Sequence, residues 1–166
     1  YRRTDRVEAT PLKATRDTLN RLEDNLLLFF TGFSRQANTV LTDQRTRLGQ
    51  SESTILANLH LAKTLAQESR ARLESGETQA FGRLLHEQWT AKKARCPHAT
   101  NPTIDGLYQA GLDNGAIGGK LVGAGGGGFL LFYTDDPQRL RTAMKTINLE
   151  EVRFRFDYEG TKVLLS

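Results

Sequence analysis

Apolar positions along this chain fall into three patterns: unbroken runs, stripes at helical spacing, and one strict alternation. Leu26-Leu27-Leu28-Phe29-Phe30 is an unbroken run bounded by Asp24-Asn25 and Thr31-Gly32. That length with those flanks predicts a buried strand. Phe129-Leu130-Leu131-Phe132-Tyr133 predicts a second. Ile55, Leu59, Ala62 and Ala66, with Leu65 alongside, form one stripe at a 3.6 period and predict a helix over 52–75. Gly76 suits the position just past its end. Phe81, Leu84, Leu85 and Trp89 predict a helix from about Thr78 to Ala94, broken at Cys96-Pro97-His98. Asn101 caps a third helix, with Pro102 in its first turn and Ile104, Leu107, Tyr108 and Leu112 inward. Asn114-Gly115 closes it.

Shorter elements complete the pattern. Val7 to Thr10 reads as a short strand before Pro11, and Thr15 or Asp17 opens a helix through Leu19 and Leu22. Ser34 is placed as an N-cap, with Arg35, Ala37, Val40 and Leu41 leading into a helix. Asp136-Pro137 opens another through Leu140 and Met144. Val152, Phe154, Phe156 and Tyr158 alternate with charged residues, a half-buried strand of period two. After the Glu159-Gly160 turn, Val163-Leu164-Leu165 makes it a hairpin. The elements lack a repeating strand–helix rhythm. The expected class is therefore α+β: a small, mostly antiparallel sheet with helices packed on one side.

Composition narrows the function. Residues 1–166 fit a single domain, with 38% hydrophobic residues and 15 glycines. No apolar stretch is long enough to cross a membrane. The formal charge of +4 is spread along the chain, without the dense basic footprint that nucleic acid or a membrane surface requires. The lone Cys96 excludes an internal disulfide framework and a cysteine-based zinc site, and it fits a cytoplasmic protein. The chain starts at Tyr1 and its only methionine is Met144, so it reads as a piece of something longer.

Ten of the 15 glycines fall in residues 106–128, and Gly123-Ala124-Gly125-Gly126-Gly127-Gly128 is the densest part. Consecutive glycines are costly to order, since each loses more backbone freedom than any other residue. Such a run is justified by positive φ angles or by close approach of the backbone to a ligand. Successive exposed N–H groups make an anion-binding nest, so a phosphate or similar oxyanion is the expected ligand. A flexible hairpin or a close backbone crossing is the alternative. Gly123, Gly125 and Gly128 satisfy G-x-G-x-x-G, but an apolar strand follows where a dinucleotide site needs a helix. Gly119-Lys120 is followed by Leu121 rather than Ser or Thr, which excludes a Walker A loop.

The stretch from Gly118 to Phe132 resembles the third motif of the galactokinase, homoserine, mevalonate and phosphomevalonate (GHMP) kinase superfamily. Within it the chain is most similar to D-glycero-D-manno-heptose 7-phosphate kinases and fucokinase-type relatives. Leu26 to Ala37 resembles that branch's strand followed by Thr-Gly-x-Ser-Arg-x-Ala. Leu85 to Lys93 resembles its His-Glu-x-Trp-x-x-Lys helix. Asn101 to Asp105, and Phe154-Arg155-Phe156 to Glu159-Gly160, also fit. The likeness runs in order over nearly the whole chain.

The resemblance implies the C-terminal domain of a two-domain sugar kinase, with a ferredoxin-like core. ATP and Mg2+ would be bound mainly by an N-terminal kinase domain that carries a Pro-x-x-x-Gly-Leu-Gly-Ser-Ser-type phosphate loop and the acidic residue that activates the acceptor. Neither has a counterpart in this sequence. The implied substrate is a heptose 7-phosphate or similar sugar, phosphorylated at its anomeric hydroxyl. Gly123 to Gly128 would shape the phosphate and substrate pocket. Ser34 and Arg35 would hold phosphate or sugar oxygens at a helix start, or serve as a plain cap and a solvated cation. Lys120 would meet phosphate as a point charge or remain a surface cation.

Other residues are weaker candidates. His86, Trp89 and Lys92 recur every three positions and share a helix face. That face either touches sugar or, with Trp89 in the core, is structural. His60, His98 and Cys96 show no pattern of ligands or nucleophile, and Asp135 and Asp136 read as loop and cap residues. Two further readings compete with the kinase: a non-catalytic ligand-binding or dimerisation module, and an RNA-binding α+β domain. The second rests on a faint RNP1-like echo at Gly128 to Phe132 and lacks its leading basic residue. An apolar face left by a missing partner domain would favour self-association.

Overall fold

The computed structural model describes residues 10–32, 52–123, 126–158 and 160. The described helices are α1 (Arg16–Asn25), α2 (Glu52–Glu74), α3 (Thr78–Arg95), α4 (Pro102–Asp113) and α5 (Pro137–Thr146), with a short 3-10 helix at Pro97–Ala99. The strands are β1 (Leu26–Phe30), β2 (Ala116–Val122), β3 (Phe129–Thr134) and β4 (Glu150–Glu151). They form one antiparallel sheet in the order β2-β3-β1-β4. The two apolar runs become its two central strands, with Leu28 opposite Leu131.

Caps set the helix starts. Thr15, rather than Asp17, caps α1, its side chain accepting from Thr18 N. Asn101 Oδ1 accepts from Ile104 N at the start of α4, and Asp136 Oδ1 from Arg139 N at the start of α5. Pro102 and Pro137 sit in first turns, where a missing N–H costs nothing.

Strand alternation divides the core. Leu130 and Phe132 join Leu27, Phe29, Leu121, Ile104, Tyr108, Leu140 and Met144, while Leu131 and Tyr133 join Leu22, Leu26 and Leu85. Successive side chains point to opposite faces of a sheet. The α+β class and the antiparallel sheet are as expected. Helices pack on the sheet with α4 and α5 in the first cluster, α1 in the second, and α3 reaching both through Trp89 and Leu85. The last is possible because α3 runs against the edge strand β2 at very short range. A Cβ on Gly118 would collide with the Gly82 carbonyl and with His86 Cβ.

Two expected elements are corrected. The buried face of α2 is not the Ile55-Leu59-Ala62-Ala66 stripe: Leu59 is 54% exposed and Ala66 is exposed, while Leu65 and Ser69 are buried. Ser69 takes a core position because its hydroxyl donates to the Leu65 carbonyl and accepts from Gln88. Ile55's side chain lies outside the described residues. The alternating segment Val152 to Tyr158 is not a full strand either. Only Glu150 and Glu151 pair with β1, followed by one bond from Val152 N to Leu28 O. In that register Phe154 would reach Leu26, where β1 gives way to α1, so residues beyond Phe154 have no strand to pair with. Phe154 and Phe156 still pack against the second cluster. The strand at Val7, the helix after Ser34 and the last strand at Val163 to Leu165 lie outside the described residues. Thr10 itself is not in a strand.

Candidate functional site

The glycine-rich connection between β2 and β3 is tied to three parts of the chain that are remote in sequence. Gly123 has φ +104°, Gly126 +76° and Gly128 +112°, a region that favours glycine. The Gly126 amide donates to Ala99 O of the 3-10 helix at 2.8 Å. The Gly128 amide donates to Thr31 Oγ1 at 3.1 Å, and the Gly128 carbonyl accepts from both Thr31 N and Thr31 Oγ1 at 2.9 Å. Lys92 Nζ, from the last turn of α3, donates to Gly123 O at 2.9 Å.

This narrows the expected anion nest. The amides of Gly126 and Gly128 are turned to the polypeptide, so they are not free donors. At Gly126 and Gly128 the N–H meets a backbone or hydroxyl oxygen that the fold brings alongside. Among the described residues the amides of Gly123 and Gly127 make no hydrogen bond. Ala124 and Gly125, together with Ser34 and Arg35, lie outside the described residues. Thr31, three residues before Ser34, abuts the loop.

The other candidates sort clearly. Lys120 Nζ donates to Gln88 Oε1 at 3.2 Å, and Gln88 and Lys92 are one turn apart on α3. Lys120 is half-buried, and burial pushes its ammonium below the usual lysine range. Lys92 is pushed down as well, first by burial and then by the charge of Lys120. Trp89 is fully buried and offers no ring face to a sugar. Its Nε1–H has no partner among the described residues. His86 Nδ1 lies 2.8 Å from the Tyr108 hydroxyl, whose single hydrogen goes to the Gly119 carbonyl at 3.1 Å. The hydroxyl is therefore the acceptor, and His86 Nδ1–H donates to it. Burial pushes the Tyr108 phenol up to about 12. Cys96 is buried in the core, and His60 and His98 are exposed. Asp136 is a helix cap, and Asp135 accepts from Gln79.

Sequence reasoning weighed Lys92 only as part of a sugar-facing triplet. Its tie to Gly123 was not legible, because nothing in the pattern says which helix end meets the glycine run.

The architecture is an α+β domain with a glycine connection joined to Thr31, Lys92 and Ala99. Residues 69–149 match the family described as GHMP kinases C terminal, and the chain carries a GHMP kinase C-terminal domain. The chain is 29% identical over 160 residues to D-glycero-alpha-D-manno-heptose 7-phosphate kinase of Campylobacter jejuni, covering 95% of this chain and 46% of that protein. It is 32% identical over 136 residues to the bifunctional fucokinase/GDP-fucose pyrophosphorylase of Arabidopsis thaliana, covering 82% and 13%. The crystal structure of L. major mevalonate kinase in complex with R-mevalonate matches with a TM-score of 0.67 at 18% identity, over 73% of this chain and 37% of that one. That likeness concerns the fold. The chain spans less than half the length of each of these proteins.

GHMP kinases use ATP and Mg2+. Among the described residues no group of three or more His, Cys, Asp or Glu side chains is placed to hold a metal ion. The described residues do not fit a Mg2+ site. No described helix is long and apolar enough to cross a membrane.

Proposed function

We propose that this chain is the C-terminal, substrate- and phosphate-binding part of an ATP-dependent sugar kinase. The acceptor is a heptose 7-phosphate or a similar sugar, phosphorylated at its anomeric hydroxyl. The partner is an N-terminal kinase domain that supplies most of the nucleotide site. One observation carries this reading. Stretches that resemble the sugar-kinase branch, containing Thr31, Lys92 and the glycine run, lie up to 97 positions apart and are hydrogen-bonded into one constellation. Phosphoryl transfer depends on positioning and on stabilising spread-out negative charge. Gly127, Lys120 and Lys92 supply donors and positive charge here, and Ser34, Arg35, Ala124 and Gly125 belong to the same proposed site. The names of the two curated relatives support a sugar acceptor, heptose 7-phosphate in one and fucose in the other.

The test is ADP release by a longer protein containing this chain, with ATP, Mg2+ and a panel of free and phosphorylated sugars. Turnover on one sugar class is expected. No turnover on any member would sink the reading. A non-catalytic ligand-binding or dimerisation module is the second reading. It is favoured by the amides of Gly126 and Gly128, which already have partners within the chain.

A further inference from the structure

Among the described residues, Lys92 and Lys120 are held near each other without a counter-charge. Gln88 is the pivot. Ser69 Oγ donates to Leu65 O, so it accepts from Gln88 Nε2 at 2.9 Å, and this aims Gln88 Oε1 at Lys120 Nζ. Lysine is donor-only, so both ends of the amide demand the same orientation. One turn further along α3, Lys92 is fixed by Gly123 O. Each ammonium has three N–H donors and uses one within the chain. Among the described residues neither makes an ion pair with a carboxylate. The adjacent Lys93 does, with Asp105 at 3.0 Å, and Arg141 does with Glu151.

Both lysines are half-buried, and Lys120 acts on Lys92 as a repelling charge. A like-charge pair in partly desolvated surroundings opposes folding unless something negative completes it. Two positive charges and four unused N–H donors match a tetrahedral dianion better than a flat, singly charged carboxylate.

We propose that Lys92 and Lys120 form a receptor for the phosphate dianion of a phosphomonoester, preorganised by Gln88 and Ser69. The proposal deepens the sugar-kinase reading and rests on it for the source of the phosphate. That source is either the acceptor sugar's own phosphate or the terminal phosphate of the nucleotide.

The experiment uses the full chain. Titration calorimetry and thermal melts are run with inorganic phosphate, a heptose 7-phosphate, the same heptose without phosphate, and ATP. The variants are Lys92→Met, Lys120→Met, and Lys63→Met as an exposed control on α2. The wild type and Lys63→Met are expected to bind phosphate ligands and melt higher with them. Each of the other two should weaken that binding at least about tenfold, as loss of a charge-assisted contact requires. Their melting temperature without ligand should stay level or rise, because repulsion is relieved. A merely structural lysine would lower it. Arg at either position should restore part of the binding. Preference for the heptose phosphate over its free sugar assigns the acceptor as source, and preference for ATP assigns the nucleotide. Either outcome supports the receptor. Absence of phosphate binding by the wild type, or binding within twofold of wild type in both Met variants, overturns it. Sugar turnover by the longer protein is read separately, so the receptor can fail while the kinase reading stands, and the reverse.

Discussion

The Thr31 hydroxyl and the Gly128 amide exchange hydrogen bonds across 97 positions, with Oγ1 both accepting from Gly128 N and donating to Gly128 O. Thr31 is only 6% exposed, so water does not substitute freely. Thr31→Val keeps the shape and the Thr31 N to Gly128 O bond, but strips the amide of its acceptor. An orphaned buried donor costs about 1–3 kcal/mol. A urea-denaturation midpoint lowered accordingly is expected. An unchanged midpoint would show that the loop does not depend on this tie.

Tyr108 links His86 to the Gly119 carbonyl and is 3% exposed. Its phenol is pushed up to about 12 in the folded chain from an ordinary value of 10. Folding therefore favours the neutral form. The contribution is complete below about pH 10 and is lost as pH rises through about 12, where folded and unfolded chains are both ionised. Tyr108→Phe should lower stability by about 1–3 kcal/mol at neutral pH, since it orphans Gly119 O and His86 Nδ1. The gap between wild type and variant should narrow between about pH 10 and 12. Urea midpoints of both proteins across that range check it, and the difference removes the lysine titrations common to both. A constant gap would contradict the burial of the phenol.

Gly118 is where α3 touches β2 closely enough that a Cβ would meet backbone. Backbone cannot rotate away as a side chain can. Gly118→Ala should cost about 1–3 kcal/mol, as overpacking does. Circular dichroism melts report it. Gly106→Ala, where a Cβ would meet open space, is the matched control and should be nearly neutral or stabilising.

Gly126 combines φ +76° with a buried position and a bond to Ala99 O. Gly126→Val should strain the connection and misplace Gly127 and Gly123. If the longer protein containing this chain is the proposed kinase, its turnover should fall on the order of 10²-fold, comparable to losing a preorganised oxyanion donor. Single-turnover assays separate this from impaired sugar binding. Unchanged turnover would remove the loop from the chemistry.

The central architecture was readable because β1 and β3 are unbroken apolar runs, and because Asn101-Pro102 and Asp136-Pro137 are cap-plus-proline pairs. Local patterns of this kind are decided within a few residues. The face of α2 was misread because Ser69 occupies a core position that hydrogen bonding, not hydrophobicity, makes tenable. The extent of β4 was misread because alternation reports which side chains are buried. Whether a neighbouring strand is long enough to pair is a separate matter. At the proposed site, the glycine run was legible as the connection that precedes β3. The internal partners of Gly126 and Gly128 depend on Ala99 and Thr31, which no local pattern links to it.

The ties from Thr31, Lys92 and Ala99 to one short connection also set an order of assembly. Each closes a contact of large sequence separation, which slows a chain's search. The turn between β2 and β3 can acquire its final shape only once the N-terminal strand and the end of the long third helix have docked. Deuterium uptake at the Gly126 and Gly128 amides would thus follow whole-molecule opening rather than local fraying, making an outwardly loose glycine string a late-forming keystone.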